Sequence, residues 1–207
     1  MAVCPLIVYR FPPQAEEEAA CFTVAGQEYG GSGIAGEMML VPSGAQPDGS
    51  FAGTVYYLNF PPDVSRVPVS AQTLVPPELA GRFTENPVCV SPHIADGALR
   101  TLLEQSTAEY GARLWLVITP YCEIYALPCP SGGGSAISRA ASAILRADRA
   151  GVYTDVFCCN YCAPVPPANS VHFYDTQETI ARKLELAQAL GVRNALVLPL
   201  WRETASA

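Results

Sequence analysis

Along this chain the spacing of apolar positions changes once, from a period of two to an alternation of short apolar runs with helical stripes. Up to residue 60 the pattern is β. Leu6–Phe11 reads as a short apolar strand, and Cys21–Ala25, Glu37–Val41 and Phe51–Phe60 are strand-like runs. Gly30-Gly31-Ser32-Gly33 and Pro47-Asp48-Gly49-Ser50 separate them. The last two runs predict an antiparallel hairpin whose second arm has the aromatic and β-branched content of a half-buried pleated surface. Residues 61–86 form a connecting segment, since Pro61–Pro77 alone carries five prolines.

Beyond residue 87 strands and helices alternate. Val88–Val90 is followed by Ser91-Pro92, an N-cap and first helical position, and by Leu99, Leu102, Leu103, Ser106 and Tyr110 at helical spacing up to Gly111. Leu114–Thr119 predicts a strand and Pro120–Ser135 a long loop. Ile137, Ala140, Ala141, Ile144 and Leu145 then form a helical stripe ending at Gly151. Val152–Phe157, Val171–Tyr174 and Ala195–Leu200 read as further strands. Asp175-Thr176-Gln177-Glu178 opens a helix that runs to Leu190, with Gly191 just past its end. The expected fold is α/β: an antiparallel β-rich part (1–60), a proline-rich connection (61–86) and a parallel β/α layer (87–207). Together these make one compact domain, with a truncated (β/α) barrel as the candidate architecture.

Composition narrows the function classes. With 207 residues, half of them hydrophobic, the chain can bury about 70% of its unfolded surface without disulfides. Its formal charge is −7, with eleven Arg, a single Lys (Lys183) and no basic run, which argues against a phosphate-tracking surface and so against nucleic acid. Apolar runs such as Ala195–Leu200 fall far short of the roughly 20 residues that span a bilayer. The N-terminus lacks a basic flank and a cleavage site, so the expectation is a cytoplasmic protein that needs no membrane. Eight cysteines without an export signal are expected to be free thiols. No P-loop, G-x-G-x-x-G or G-x-S-x-G occurs.

Ligands of parallel α/β proteins sit outside the carboxyl ends of the strands. The loops leaving those ends begin at Pro120-Tyr121-Cys122-Glu123, Cys158-Cys159-Asn160-Tyr161-Cys162, Tyr174-Asp175 and Pro199-Leu200-Trp201-Arg202-Glu203. Glu123 and Asp175 are the candidate acid and its partner, Asp175 doubling as a helix N-cap. Tyr121, Tyr161, Tyr174, Trp201 and Arg202 are the candidate ligand-binding residues. Cys122, Cys129, Cys159 and Cys162 form a candidate Zn2+ set, because a C-x-x-C in a turn brings two thiolates to one tetrahedral ion. His172 shares a strand face with Tyr174, and His93 has no partner nearby in sequence.

The run from Val171 through Tyr174-Asp175, Lys183 and Gly191 to Trp201 resembles the last β–α–β unit of family-18 glycoside hydrolases and related chitinase-like barrels. It covers 31 of the 207 residues. The resemblance implies a barrel-type fold and a sugar pocket closed by Trp201. That family's alternating acidic motif has no counterpart, since no Asp-x-Glu occurs; Glu123 is its nearest substitute. Three readings follow. The first is a degenerate glycoside hydrolase or carbohydrate-binding protein. The second is a zinc or thiol protein, and the third a non-catalytic structural or interaction protein.

Overall fold

The computed structural model describes residues 6–10, 20–24, 33–35, 38–41, 53–57, 60, 64, 69–127, 135–136, 151–162 and 170–198. Thirteen strands lie in these stretches. The first five are β1 (Leu6–Arg10), β2 (Ala20–Val24), β3 (Gly33–Ala35), β4 (Met38–Val41) and β5 (Thr54–Tyr57). Then come β6 (Val88–Val90), β7 (Leu114–Ile118), β8 (Cys122–Ala126) and β9 (Ser135–Ala136). The last are β10 (Val152–Thr154), β11 (Cys159–Cys162), β12 (Ser170–Tyr174) and β13 (Asn194–Val197). Two helices are described, α1 (Leu99–Tyr110) and α2 (Gln177–Ala189).

The fold is mixed α/β. One sheet has the order β2-β1-β13-β7-β6, in which β6, β7 and β13 run parallel and β1 and β2 pair antiparallel. Strands β3, β4 and β5 form a second sheet. Parallel bridges Val55↔Thr73 and Val75↔Val88 tie β5 to β6, so the parallel run extends from β4 through the end of the proline-rich segment to β13. The third sheet, β10-β11-β12-β8-β9, is wholly antiparallel and falls in the chain between β7 and β13.

Alternation along β7 assigns the two faces of the parallel sheet. Leu114, Leu116 and Ile118 pack under Leu99 and Leu103 of α1 and under Ile180, Leu184 and Ala187 of α2. Trp115 and Val117 point the other way, onto Tyr56, Leu74 and Leu196. Both faces are buried, as parallel strands require. Arg113, just before β7, donates from Nε to the carbonyl of Asn86 (2.8 Å) and from Nη2 to that of Phe83 (2.9 Å). The buried Asn86 amide in turn donates to the carbonyls of Ser70 (2.7 Å) and Thr73 (3.0 Å), locking the bridging segment.

Four finer expectations are corrected. β4 and β5 pair parallel, not as a hairpin, and β5 is buried along its whole length, on both faces. The twelve residues between them are enough for a crossover, which no tight turn could provide. Val152–Thr154 and Ser170–Tyr174 leave the parallel sheet for the antiparallel one. The long loop expected at Pro120–Ser135 and the one expected from Cys158 contain their partners β8 and β11, stretches too short and mixed for their apolar pattern to mark them as strands. The first helix begins at Leu99, not Pro92: Gly97 adopts φ +90°, which ends a preceding 3-10 turn, Ile94–Asp96. The helical stripe from Ile137 to Leu145 lies outside the described residues.

Candidate functional site

At the carboxyl end of β7 the chain passes through Thr119 and Pro120 into β8, and β12 returns beside it. The β8–β12 ladder extends one residue beyond the pair Cys122↔Tyr174, since the Asp175 amide donates to the Tyr121 carbonyl at 3.0 Å. Two neighbouring residue rows across this sheet hold its chemistry.

The inner row is closed. Asp175 is fully buried, and its Oδ2 accepts from Lys183 Nζ (2.6 Å) and the Tyr121 amide (2.7 Å). Its Oδ1 accepts from Thr179 Oγ1 at 2.8 Å. Lys183 Nζ also sits 3.4 Å from the centre of the Tyr121 ring. Three donors on one carboxylate and a ring face under the ammonium supply what burial takes from an ion pair. Burial, and then the Asp175 charge, push the Tyr121 phenol well above its ordinary range. Cys159 is sealed in the same cluster with Ile94, Tyr121 and Tyr125. Burial pushes its thiol up to about 12, opposed in part by Lys183. Beside the pair, the crevice between Pro92, Leu99, Ile118 and Thr119 has no room for a water molecule.

The next row outward is partly exposed, and its Phe173 also packs against the sealed cluster. Its register runs Val152↔Tyr161↔Phe173↔Glu123↔Ala136, so directly opposed residues place Tyr161, Phe173 and Glu123 side by side on one face. Phe173 meets Tyr125 edge-on (5.7 Å between ring centres), Phe157 edge-on (5.5 Å) and Tyr161 tilted (6.1 Å). Tyr125, two residues from Glu123 and therefore on the same face, donates its hydroxyl to Glu123 Oε2 at 2.6 Å. The other carboxylate oxygen lies 3.8 Å from Nδ1 of His93, which the segment after β6 brings in and leaves 61% exposed. Asp96 holds that segment by accepting the His93 amide at 2.7 Å.

The sequence candidates are thus divided. Glu123 and Tyr161 share the partly exposed row, on either side of Phe173. Asp175 and Tyr121 are buried in the closed row, and Tyr174 is buried on the opposite face of β12. The helix cap expected of Asp175 belongs to Thr176, whose side chain accepts from the Thr179 amide at 3.3 Å. Cys159 and Cys162 are three apart on a strand, which turns their side chains to opposite faces; the convergence expected of C-x-x-C needs a turn. Cys122 stands opposite Tyr174 in the ladder. Cys129, Trp201 and Arg202 lie outside the described residues. Among the described residues no three His, Cys, Asp or Glu side chains converge on a metal-sized site.

Tyr125, Phe157 and Phe173 were not singled out from sequence, and His93, expected to be structural, lies beside Glu123. The signal for two of them was present: Glu123 and Tyr125 alternate on one strand, and Phe173 falls on the opposite parity to Tyr174.

These features define a mixed α/β protein with an aromatic and carboxylate row on an antiparallel insertion at the carboxyl end of a parallel strand. The chain matches no protein-family profile and no curated protein sequence. Among solved structures it is similar to the crystal structure of the "putative sporulation-specific glycosylase ydhD from Bacillus subtilis", at 14% identity and a TM-score of 0.37. The match covers 77% of this chain and 52% of that one, so this chain spans about half the length of that protein. A likeness at this level carries neither family nor activity, and what the site can do follows from its own residues. Among the described residues no helix is long and apolar enough to cross a membrane.

Proposed function

We propose that this chain binds a saccharide on the row Tyr161–Phe173–Glu123 and does not hydrolyse it. The observation that carries the reading is the row itself. Half-buried aromatic rings beside a half-buried carboxylate suit a sugar's apolar C–H face and its hydroxyls together. The two-carboxyl route of glycoside hydrolysis needs both groups free to face one bond. Here Asp175 is spent on Lys183, Thr179 and the Tyr121 amide, and among the described residues Glu123 has Tyr125 and His93 beside it and no second carboxylate free to face the same bond. The buried, protonated Cys159 gives no comparable support to a thiol reading.

The test is a calorimetric titration with soluble oligosaccharides alongside an aryl-glycoside assay. We expect binding that weakens about tenfold or more in Tyr161→Ala, the loss of roughly 1.4 kcal/mol that one stacked ring supplies, and no release of the aryl group. Release that Glu123→Gln abolishes would overturn the non-hydrolytic part. Failure of every saccharide to bind would overturn the reading as a whole.

A further inference from the structure

The row carries information about the charge of its ligand, and the following step rests on the saccharide-binding reading above. Adjacent strands lie about 4.8 Å apart. A group seated over Phe173 is therefore one strand from the Glu123 carboxylate on one side and one strand from the Tyr161 ring on the other. A carboxylate with aromatic faces next to it is the environment an ammonium group prefers, since the ring quadrupole and the anion attract the same charge within about 6 Å.

The charges nearby point the same way. Glu123 is in the row, Asp96 holds the His93 segment that reaches it, and the Lys183 charge is neutralised by Asp175, with the Lys183 side chain only 3% exposed. Among the described residues the one basic group within 4 Å of Glu123 is the His93 imidazole, at 3.8 Å. Arg100 and Arg182 pair instead with Glu104 and Glu178 on their own helices. The formal charge of −7 adds a long-range field of the same sign.

We propose that the ligand presents a protonated amine to Glu123 and Phe173, as an amino sugar with its nitrogen unacylated does. Glu123 is then a recognition anion and not an acid. Its Oε2 accepts from Tyr125, and its Oε1, which lies 3.8 Å from the exposed His93 imidazole, takes the ligand's ammonium, which also lies on the Phe173 ring.

Three probes separate this inference from the saccharide reading when titrated into the whole protein at low salt: the disaccharide of glucosamine, its N-acetylated counterpart and tetramethylammonium. We expect the free-amine disaccharide to bind at least about tenfold more tightly than the N-acetylated one, as a charge-assisted contact allows. The preference should shrink to within about twofold in Glu123→Gln and in Phe173→Leu, each shown by circular dichroism to keep the fold. It should also fall, modestly, as salt screens a carboxylate that is 20% exposed. If the N-acetylated sugar binds as well or better, the charge inference fails while saccharide binding stands. If tetramethylammonium binds and neither sugar does, saccharide binding fails and the charge inference stands. If none of the three binds, both fail.

Discussion

Lys183 is the single lysine of the chain, and it lies with its side chain 3% exposed against a fully buried aspartate. Lysine is ordinarily among the residues least often buried, and a chain with eleven arginines uses it where a compact ammonium must fit between a carboxylate and a ring. Removing one partner strands the other. Lys183→Met should cost about 3–5 kcal/mol in urea denaturation, whereas the double variant with Asp175→Asn should recover most of that loss. A second residue-scale expectation concerns Cys159. Its folded thiol is pushed up to about 12, while an unfolded thiol ionises near 8.5. The stabilisation from keeping the thiol neutral is therefore complete below about pH 8.5 and is lost as pH rises toward 12. Cys159→Ala should flatten that alkaline decline in melting temperature. The ion pair left a sequence signal, for Thr179 and Lys183 are spaced i, i+4 on one face of α2 and Asp175 stands just ahead of its cap, four residues before Thr179. Period alone could not show that the face is sealed by Tyr121 from a different strand.

Among the elements, α2 carries the clearest local instructions. Thr176 caps it at the start, and at its end Gly191 takes φ +84° while the Val192 amide returns to the Ala187 carbonyl at 3.0 Å. A side chain at such a φ is strained, so Gly191→Ala should lower stability by about 1 kcal/mol, read from the denaturation midpoint. Gly151 is constrained from outside instead: a methyl group there would overlap the Tyr174 hydroxyl. Gly151→Ala should cost about 1–3 kcal/mol by the same measurement. Within the described residues the periodic stripes of α1 and α2, and the apolar runs of β6, β7 and β13, were legible because the core reads them directly. The partners of β8 and β11 were not. Their side chains alternate whichever strand lies beside them and in whichever direction, so the sheet that unites Glu123 with Phe173 and Tyr161 had to be seen in three dimensions.

For the molecule as a whole, the antiparallel sheet is an insertion between two strands that touch. Ile118 at the end of β7 pairs with Val197 at the end of β13, although the third sheet and α2 intervene in the chain. The insertion stands at the carboxyl end of β7, so the row of Tyr161, Phe173 and Glu123 lies on a different sheet from the parallel core. The position of β13 bears on how the protein comes into being. It is the middle strand of its sheet, flanked by β1 and β7, yet it is made after both. While the ribosome is still short of residue 194, β1 and β7 each present an unpaired backbone edge, the kind of edge through which partly made chains associate. Closing so long a loop is also slow, because the chain entropy is lost before the central pairing repays it. A chain stopped at residue 190 should therefore show β7 amides exchanging with solvent at nearly unfolded rates and should aggregate on release, while the full chain protects them. Protected β7 amides in the shortened chain would mean that the sheet closes without its last-made strand.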